Sequence, residues 1–249
     1  MRTWSLLVIA LLLTGCGAAN PAATSTPTST HTPTARATYE VPASCSALKT
    51  DPGAELPGTT VGRCWTDALY AYGSFHEYML RGAAGAPSEV DVRLRPDLAA
   101  SGMMPDGPFV FVDGVLYEQR DGRWVQGDPT STDPAKAIVG ATARMIKAAA
   151  DPAVIAGSIA ACRTWKVDPQ RELVTLHDGK ERPDVVRLTC ATTPFAVLGV
   201  PVTESSLWVT DDWTPLEVQS TADLAGTSTT SSQEFYDLGK RVTVQAPAS

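Results

Sequence analysis

FVFVDGVLYEQRDGRWV, from Phe109 to Val125, shows most clearly the short strands and tight turns that recur in this chain. Many of its residues are β-branched or aromatic, as is typical of strands, and two Asp-Gly pairs interrupt it, at 113–114 and 121–122. The first pair is a strong signal for a two-residue type I′ hairpin turn, and the second turns the chain again. Strands joined by such short turns pair antiparallel, so the stretch predicts a three-strand meander.

Strand-like runs continue on both sides of this meander. Upstream, EVDVRLRP alternates apolar and charged residues, which predicts a half-buried strand with one face in water. Before it, ALYAYGSFHEYMLRGA predicts the end of a helix that leads into a strand. Seven downstream runs have β-favouring residues between turn residues: RTWKVD, ELVTLHD, DVVRLTCA, SSLWVTDD, LEVQSTAD, TSSQEFYD and RVTVQAP.

The middle of the chain predicts two consecutive helices. Asp133-Pro134 and Asp151-Pro152 each supply an N-cap and a proline for the first helical position. We expect an apolar face at helical spacing after each cap. The two faces comprise Ile138, Thr142, Met145, Ile146 and Ala149 in the first helix, and Val154, Ile155, Ser158 and Ile159 in the second.

This order of strands, a helical insert and further strands predicts an α+β fold. Because the connections are short, neighbouring strands should pair antiparallel and form one large curved sheet with helices on one face. Residues 45–249 are about 200 residues, enough for a single domain with a sizeable core.

The N-terminus predicts export and a lipid anchor. Leu6–Leu13 is an apolar run of eight residues behind Arg2, too short to span a bilayer but suited to a signal peptide. Leu13-Thr14-Gly15-Cys16 resembles a bacterial lipobox, so residues 1–15 are predicted to be removed and Cys16 to carry the lipid. The alternative is an ordinary secretory signal with an incidental cysteine.

Residues 16–44 are rich in Ala, Thr, Pro and Ser, and such a segment cannot bury enough apolar area to fold. We expect a disordered tether with a root-mean-square reach of about 30 Å. O-glycosylation of this segment is permitted by its composition but not required.

The cysteines indicate an oxidising compartment. Beyond Cys16 there are four, Cys45, Cys64, Cys162 and Cys190, and an even number in an exported chain suggests two disulfides. Three pairings are open, and we favour Cys45–Cys64 with Cys162–Cys190, because both pairs are local in the chain.

Composition and motifs argue against several functions. The net charge of −7 and the lack of a basic stripe make nucleic acid, or docking on anionic lipid headgroups, unexpected. The chain has no G-x-S-x-G elbow, phosphate-binding loop, H-E-x-x-H or C-x-x-C, and we interpret His76 and His177 as ordinary strand and turn residues. We therefore expect no enzyme, metal or cofactor.

Four segments in the same order carry a family resemblance: VFVDGVLYEQRDGRW, AAADPAVIAG, SLWVTDDWTPLEV and FYDLGKRVTVQAP. They are similar to segments of the mycobacterial LppX/LprG-type lipoproteins, within the LolA-like superfamily, and together span most of residues 65–247. The four cysteines and the insert PFAVLGVPVTE depart from that pattern.

The resemblance implies a half-barrel whose concave face, covered by helices, holds acyl chains. Apolar residues that strand alternation or helical phase could direct inward are the candidate ligand contacts: Met79, Val92, Phe111, Ile146, Ile155, Trp208 and Val218. The alternative is that they fill a solid core. Met103-Met104, in a predicted loop, is either a flexible apolar lip or, as we slightly favour, a satellite cluster.

The expected function is that of a lipoprotein anchored to the outer face of the cell membrane. It would bind an acylated lipid or glycolipid in an apolar cavity and carry it in the cell envelope, with an envelope transport protein as a further candidate partner. The alternative is an interaction or sensor module with a solid core that binds a protein.

Overall fold

The computed structural model describes residues 39–82, 85–197, 199–224 and 226–248. The predicted signal peptide, Cys16 and most of the predicted tether lie outside these residues. The helices are α1 Ala43–Ser46, α2 Gly58–Tyr72, α3 Pro134–Ala150 and α4 Pro152–Ala161. The strands are β1 Glu55–Pro57, β2 Ser74–Arg81, β3 Ser88–Arg93, β4 Ala99–Met104, β5 Gly107–Val112, β6 Val115–Arg120, β7 Arg123–Gln126, β8 Thr164–Thr175, β9 Glu181–Cys190, β10 Phe195–Val197, β11 Val200–Val209, β12 Pro215–Leu224 and β13 Thr227–Tyr236.

The strands form one antiparallel sheet built from two meanders. Its order is β1-β8-β9-β11-β12-β13-β2-β3-β4-β5-β6-β7, with β10 paired to β11. The first meander runs from β2 to β7 and the second comprises β8 to β13, and they join where β13 pairs with β2. The helices α3 and α4 connect them. The predicted α+β class with one large antiparallel sheet is therefore confirmed, as is the meander over Phe109–Val125.

The sheet curves around α2. This helix contacts β1, β8, β12 and β2, which occupy the first, second, fifth and seventh positions in the sheet. Seven flat strands at a spacing of about 4.8 Å would span about 29 Å, whereas a helix with its side chains is about 10–12 Å across. One helix reaches all four strands only if the sheet wraps around it.

The inner face of the sheet and α2 enclose the main core. Trp65 of α2 meets Phe235 of β13 edge to face, with ring centroids 5.5 Å apart. A second apolar cluster lies on the opposite face, where alternation sends the neighbours of inward residues. Tyr236, beside the inward Phe235, belongs to this outer cluster.

Both disulfides have the pairing that the sequence favoured. Cys45–Cys64 joins α1 to α2, and Cys162–Cys190 joins the residue after α4 to the end of β9. Ordered contacts begin upstream of residue 45, because the ring of Tyr39 stacks on Tyr72 at a centroid distance of 4.2 Å.

Three local predictions are wrong. RVTVQAP is not a strand: Val244 is buried against Ala99 and Val112 on the outer face without sheet pairing. Ala99–Met104 is a strand, not a loop; its small residues give little β signal, and it forms because β3 and β5 pair with both of its edges.

The third wrong prediction concerns the phase of α3. Its most buried residues are Val139, Gly140 and Ala150, whereas Ile138 and Met145 of the predicted core face are exposed. The sequence shows that the helix has an apolar stripe but not which side the sheet covers. Within the described part of the chain, no helix has both the length and the apolar character that a membrane span requires.

Candidate functional site

A groove of about 630 Å³ lies between the α3–α4 helices and the inner face of the sheet. Its floor is formed by β11, β12, β13 and β2, and the β10–β11 hairpin contributes to its side. The lining residues are mostly apolar or small: Met79, Arg81, Ala148, Ala149, Val154, Ile155, Ser158, Ile159, Phe195, Val197, Val200, Val202, Ser205, Val218, Ser220, Ala222, Thr229, Ser231, Ser232 and Gln233.

Short side chains on the floor explain why the groove is open. Ser205, Ser220 and Ser231 lie directly opposite one another across β11, β12 and β13. In an adjoining row, Ala222 pairs with Val202 on one side and with Thr229 on the other. Larger side chains at these inward positions would reach the helices, so the small ones leave space between the sheet and the helices.

The serines of the floor are not free polar groups. The hydroxyls of Ser205 and Ser220 lie 2.9 Å apart and share a hydrogen bond. The Ser231 hydroxyl donates to the carbonyl of Ser220 at 3.4 Å. Because these hydroxyls are satisfied by the sheet itself, an apolar molecule on the floor would leave none of them without a partner.

The helical wall is fixed at both ends of α4. At the start, the Asp151 carboxylate accepts a hydrogen bond from the backbone N–H of Ala153, as an N-cap does. At the end, Cys162–Cys190 ties the helix to the sheet. Between these points Ile155 and Ile159 face inward, and Val154 lines the groove while remaining 43% exposed. The wall is therefore apolar and held in position.

A buried carboxyl adjoins the groove. Glu77 is 2% exposed and lies on the inward side of β2, between Phe75 of the core and Met79 of the groove. Gln233, which lines the groove, donates to the Glu77 carboxyl at 2.7 Å. Burial raises the pKa of Glu77 to about 7, against smaller opposing effects of the Gln233 hydrogen bond and of Arg81. This end of the groove is therefore polar and close to its titration point at neutral pH.

Arg81 marks the other polar part of the groove. It follows Glu77 and Met79 on the same side of β2, lies opposite Ser231 in the sheet and is exposed to solvent. It is the charged side chain among the described residues of the lining. The groove thus combines an apolar interior with one cation at its rim.

Three of the seven predicted ligand contacts line the groove, three lie in or against the main core, and Trp208 lies on the other face of the sheet. Met79, Ile155 and Val218 line the groove together. Val92 and Phe111 are fully enclosed in the main core, and Ile146 packs against that core. These three residues do not line the groove.

Trp208 lies on the opposite face of the sheet, so its predicted inward direction is corrected. Leu207 is the inward residue at this point of β11. The Trp208 indole N–H donates to Glu172 at 2.8 Å, and the Arg187 guanidinium lies 5.2 Å from the ring centroid. These polar partners hold Trp208 on the outer face. The alternation of residues along a strand separates two faces but does not show which of them is the inner one.

The serine row of the floor was missed at the sequence level. The available signal was the placement of small residues two apart in β12, where Val218, Ser220 and Ala222 share one side. In the described residues, no cluster of three or more His, Cys, Asp or Glu side chains is placed to hold a metal ion.

The fold and the groove define a class: an open antiparallel sheet curved around a helix, with an apolar groove under a helical cover. Among solved structures, LprF from Mycobacterium bovis matches with 16% sequence identity and a TM-score of 0.46, over 77% of this chain and 97% of that chain. Lipoprotein LppX from Mycobacterium tuberculosis matches with 15% identity and a TM-score of 0.43, over 76% of this chain and 98% of that one. LppX belongs to the group of lipoproteins that the four sequence segments resemble.

No protein-family model matches the sequence. No curated protein matches it either.

Proposed function

We propose that this protein is a lipid-binding lipoprotein of the cell envelope. In this proposal Cys16 carries the lipid anchor on the outer face of the cell membrane, the chain between Cys16 and the first domain contacts at Tyr39 forms the tether, and the domain carries an acylated lipid or glycolipid in its groove. The observation that supports lipid binding is the apolar groove under α3 and α4. The groove also argues against the alternative of an interaction module with a solid core.

The volume of the groove suits one acyl chain. A methylene group is about as large as a water molecule, whose share of liquid volume is about 30 Å³. A groove of about 630 Å³ therefore has room for roughly 20 such groups. The polar end of the molecule would lie at the rim, where Arg81 offers hydrogen-bond donors to a phosphate, carboxylate or sugar.

The energetics suit a carrier rather than a trap. Burying a methylene contributes about 0.8 kcal/mol relative to water, but a membrane lipid already has that gain in the bilayer. Transfer from the bilayer into an apolar groove is therefore nearly neutral. A carrier can load and release its ligand under these conditions without a nucleotide or a covalent step.

The direct test is mass spectrometry of the lipid that co-purifies with the protein from its own host. We expect one acylated species bound to wild-type protein, and at least a tenfold reduction in Ala222→Trp. Ala222 lies on the floor between Val202 and Thr229, so an indole there fills the space that the ligand needs.

Thr221→Trp is the matched control, because Thr221 precedes Ala222 on β12 but points to the other face, where its hydroxyl contacts Thr230. We expect this variant to retain the lipid. Equal lipid content in folded Ala222→Trp and wild-type protein would contradict the proposal, as would delipidated wild-type protein that takes up no acylated probe.

A further inference from the structure

α3 has an apolar stripe on its exposed side. Ile138 and Met145 are seven residues apart and therefore lie about 20° apart around the helix axis. Their exposed fractions are 53% and 71%, which are high for large apolar side chains in a folded domain. Ala141, also exposed, lies between them on the same side. The sheet covers the opposite side of the helix through Val139, so this stripe has no partner among the described residues.

The stripe leads directly to the groove. Ala149 is four residues beyond Met145 on the same side of α3 and lines the groove. Val154, at the start of α4, also lines the groove and is 43% exposed. We call Ile138, Met145 and Ala149 the α3 stripe. Together with Val154 of α4, the α3 stripe forms a path of apolar residues from the outer surface of α3 to the groove opening.

The charge of α3 is opposite to that of the whole protein. The helix contains three basic residues, Lys136, Arg144 and Lys147, and no acidic residue, in a chain whose net charge is −7. All three are exposed. The two flanking aspartates, Asp133 and Asp151, are engaged as N-caps of α3 and α4. Total composition hides this local sign, which is why the sequence alone argued against docking on anionic headgroups.

We propose that the α3 stripe docks on an anionic lipid bilayer, with Met145 and Ile138 in the interface and Arg144 near the headgroups. An exposed apolar stripe on a helix whose other exposed positions carry basic residues is the pattern of a helix that lies in a membrane interface. Arg144 flanks the stripe, so its guanidinium can extend to the headgroups while its stem remains on apolar surface. This position sets the groove opening against the acyl region of the bilayer.

The inference depends on the proposed function in one respect: loading or unloading the groove is what docking would be for. The contact between α3 and the bilayer itself needs no ligand in the groove.

The chain as its host exports it is labelled with the environment-sensitive dye NBD at Met145→Cys and mixed with vesicles that contain doxyl-labelled lipids as quenchers. We expect strong quenching on vesicles of phosphatidylcholine mixed with phosphatidylglycerol, and little on phosphatidylcholine alone.

Leu173→Cys, labelled in the same way, is the matched control for position, because Leu173 is a large apolar residue of β8 that is 62% exposed and is not among the residues that line the groove. We expect no quenching there. A label at 145 that is quenched no more than the label at 173 would overturn the proposal. A protein would then be the remaining candidate partner of the α3 stripe. Equal quenching at 145 on both vesicle compositions would overturn the role of the basic residues.

The variant Arg144→Gln, made in the chain labelled at position 145, tests the charge beside the stripe. A basic residue near an anionic surface is worth about fivefold in partitioning, so the equilibrium between docked and undocked α3 on the mixed vesicles should shift about fivefold toward the undocked state. Arg163→Gln, at an exposed basic residue just before β8, should have little effect. Ala222→Trp should dock normally, so that failure of docking and failure of lipid binding are separate results.

Discussion

At the scale of single residues, Glu77 is the feature with the clearest energetic consequence. It is the ionisable side chain that the described part of the domain buries most completely, and one hydrogen bond from Gln233 holds it beside the groove. Burial disfavours the charged form of a carboxyl, so its pKa rises to about 7. The folded protein therefore retains a proton on Glu77 at pH values where the unfolded chain has released it.

This difference predicts a loss of stability as the pH rises. Between the ordinary pKa of glutamate, about 4.5, and about 7, the folded state binds the additional proton, so the free energy of unfolding falls through this range. A rise of the pKa from 4.5 to about 7 corresponds to about 3 kcal/mol in the free energy of unfolding. We expect Glu77→Gln, which is always neutral, to match wild-type stability at about pH 4, below the ordinary glutamate pKa, and to exceed it by up to about 3 kcal/mol at about pH 8.

Urea unfolding followed by tryptophan fluorescence at several pH values measures this difference. Glu181→Gln removes a negative charge at an exposed position and serves as the control. Parallel pH profiles for Glu77→Gln and wild-type protein would show that Glu77 does not hold its proton in the folded state.

At the scale of elements, the contact between α2 and α4 positions the helical wall of the groove. The helices approach so closely at Gly62 that a Cβ there would lie 2.6 Å from the carbonyl oxygen of Ala156. A backbone atom of a helix cannot move aside alone, so glycine is required for the crossing. The Cys162–Cys190 disulfide holds the end of the same helix, and the two constraints together fix α4 above the floor.

We therefore expect Gly62→Ala to destabilise the protein by about 1–3 kcal/mol, the usual range for overpacking, and to weaken lipid binding by displacing α4. Gly157→Ala is the matched control in α4, because a methyl group added there would meet nothing within 4 Å and alanine favours helix. It should stabilise the protein by about 0.5–1 kcal/mol. Thermal unfolding of both variants checks these values, and a neutral Gly62→Ala would contradict the close crossing.

The elements also show how far the sequence could predict the fold. Asp-Gly turns and Asp-Pro caps are local signals, and they placed the meander and the starts of α3 and α4 correctly. Burial depends on which surface a neighbour covers, and local signals do not contain that information. For this reason the phase of α3 was wrong, Trp208 was assigned to the inner face, and the floor of serines was not found.

At the scale of the whole molecule, the groove exists only because both meanders are joined. Its floor takes β11, β12 and β13 from the second meander and β2 from the first, and the pairing of β13 with β2 makes that floor continuous. Its helical wall comes from α3 and α4, which connect the two meanders. A lipid in the groove would contact parts of the chain from Met79 to Gln233, so binding should stabilise the entire domain rather than one segment.

In the function that we propose, an acyl chain occupies the space between α4 and the floor. A fatty acid with a photoreactive diazirine near its chain end tests this most directly, when it is bound to delipidated protein, irradiated and mapped by peptide mass spectrometry. We predict adducts in the peptides that contain Met79, Ile155 and Val218, suppressed by excess unlabelled fatty acid. Adducts confined to the outer face around Trp208 and Tyr236, or no adduct above that of unfolded protein, would contradict the account.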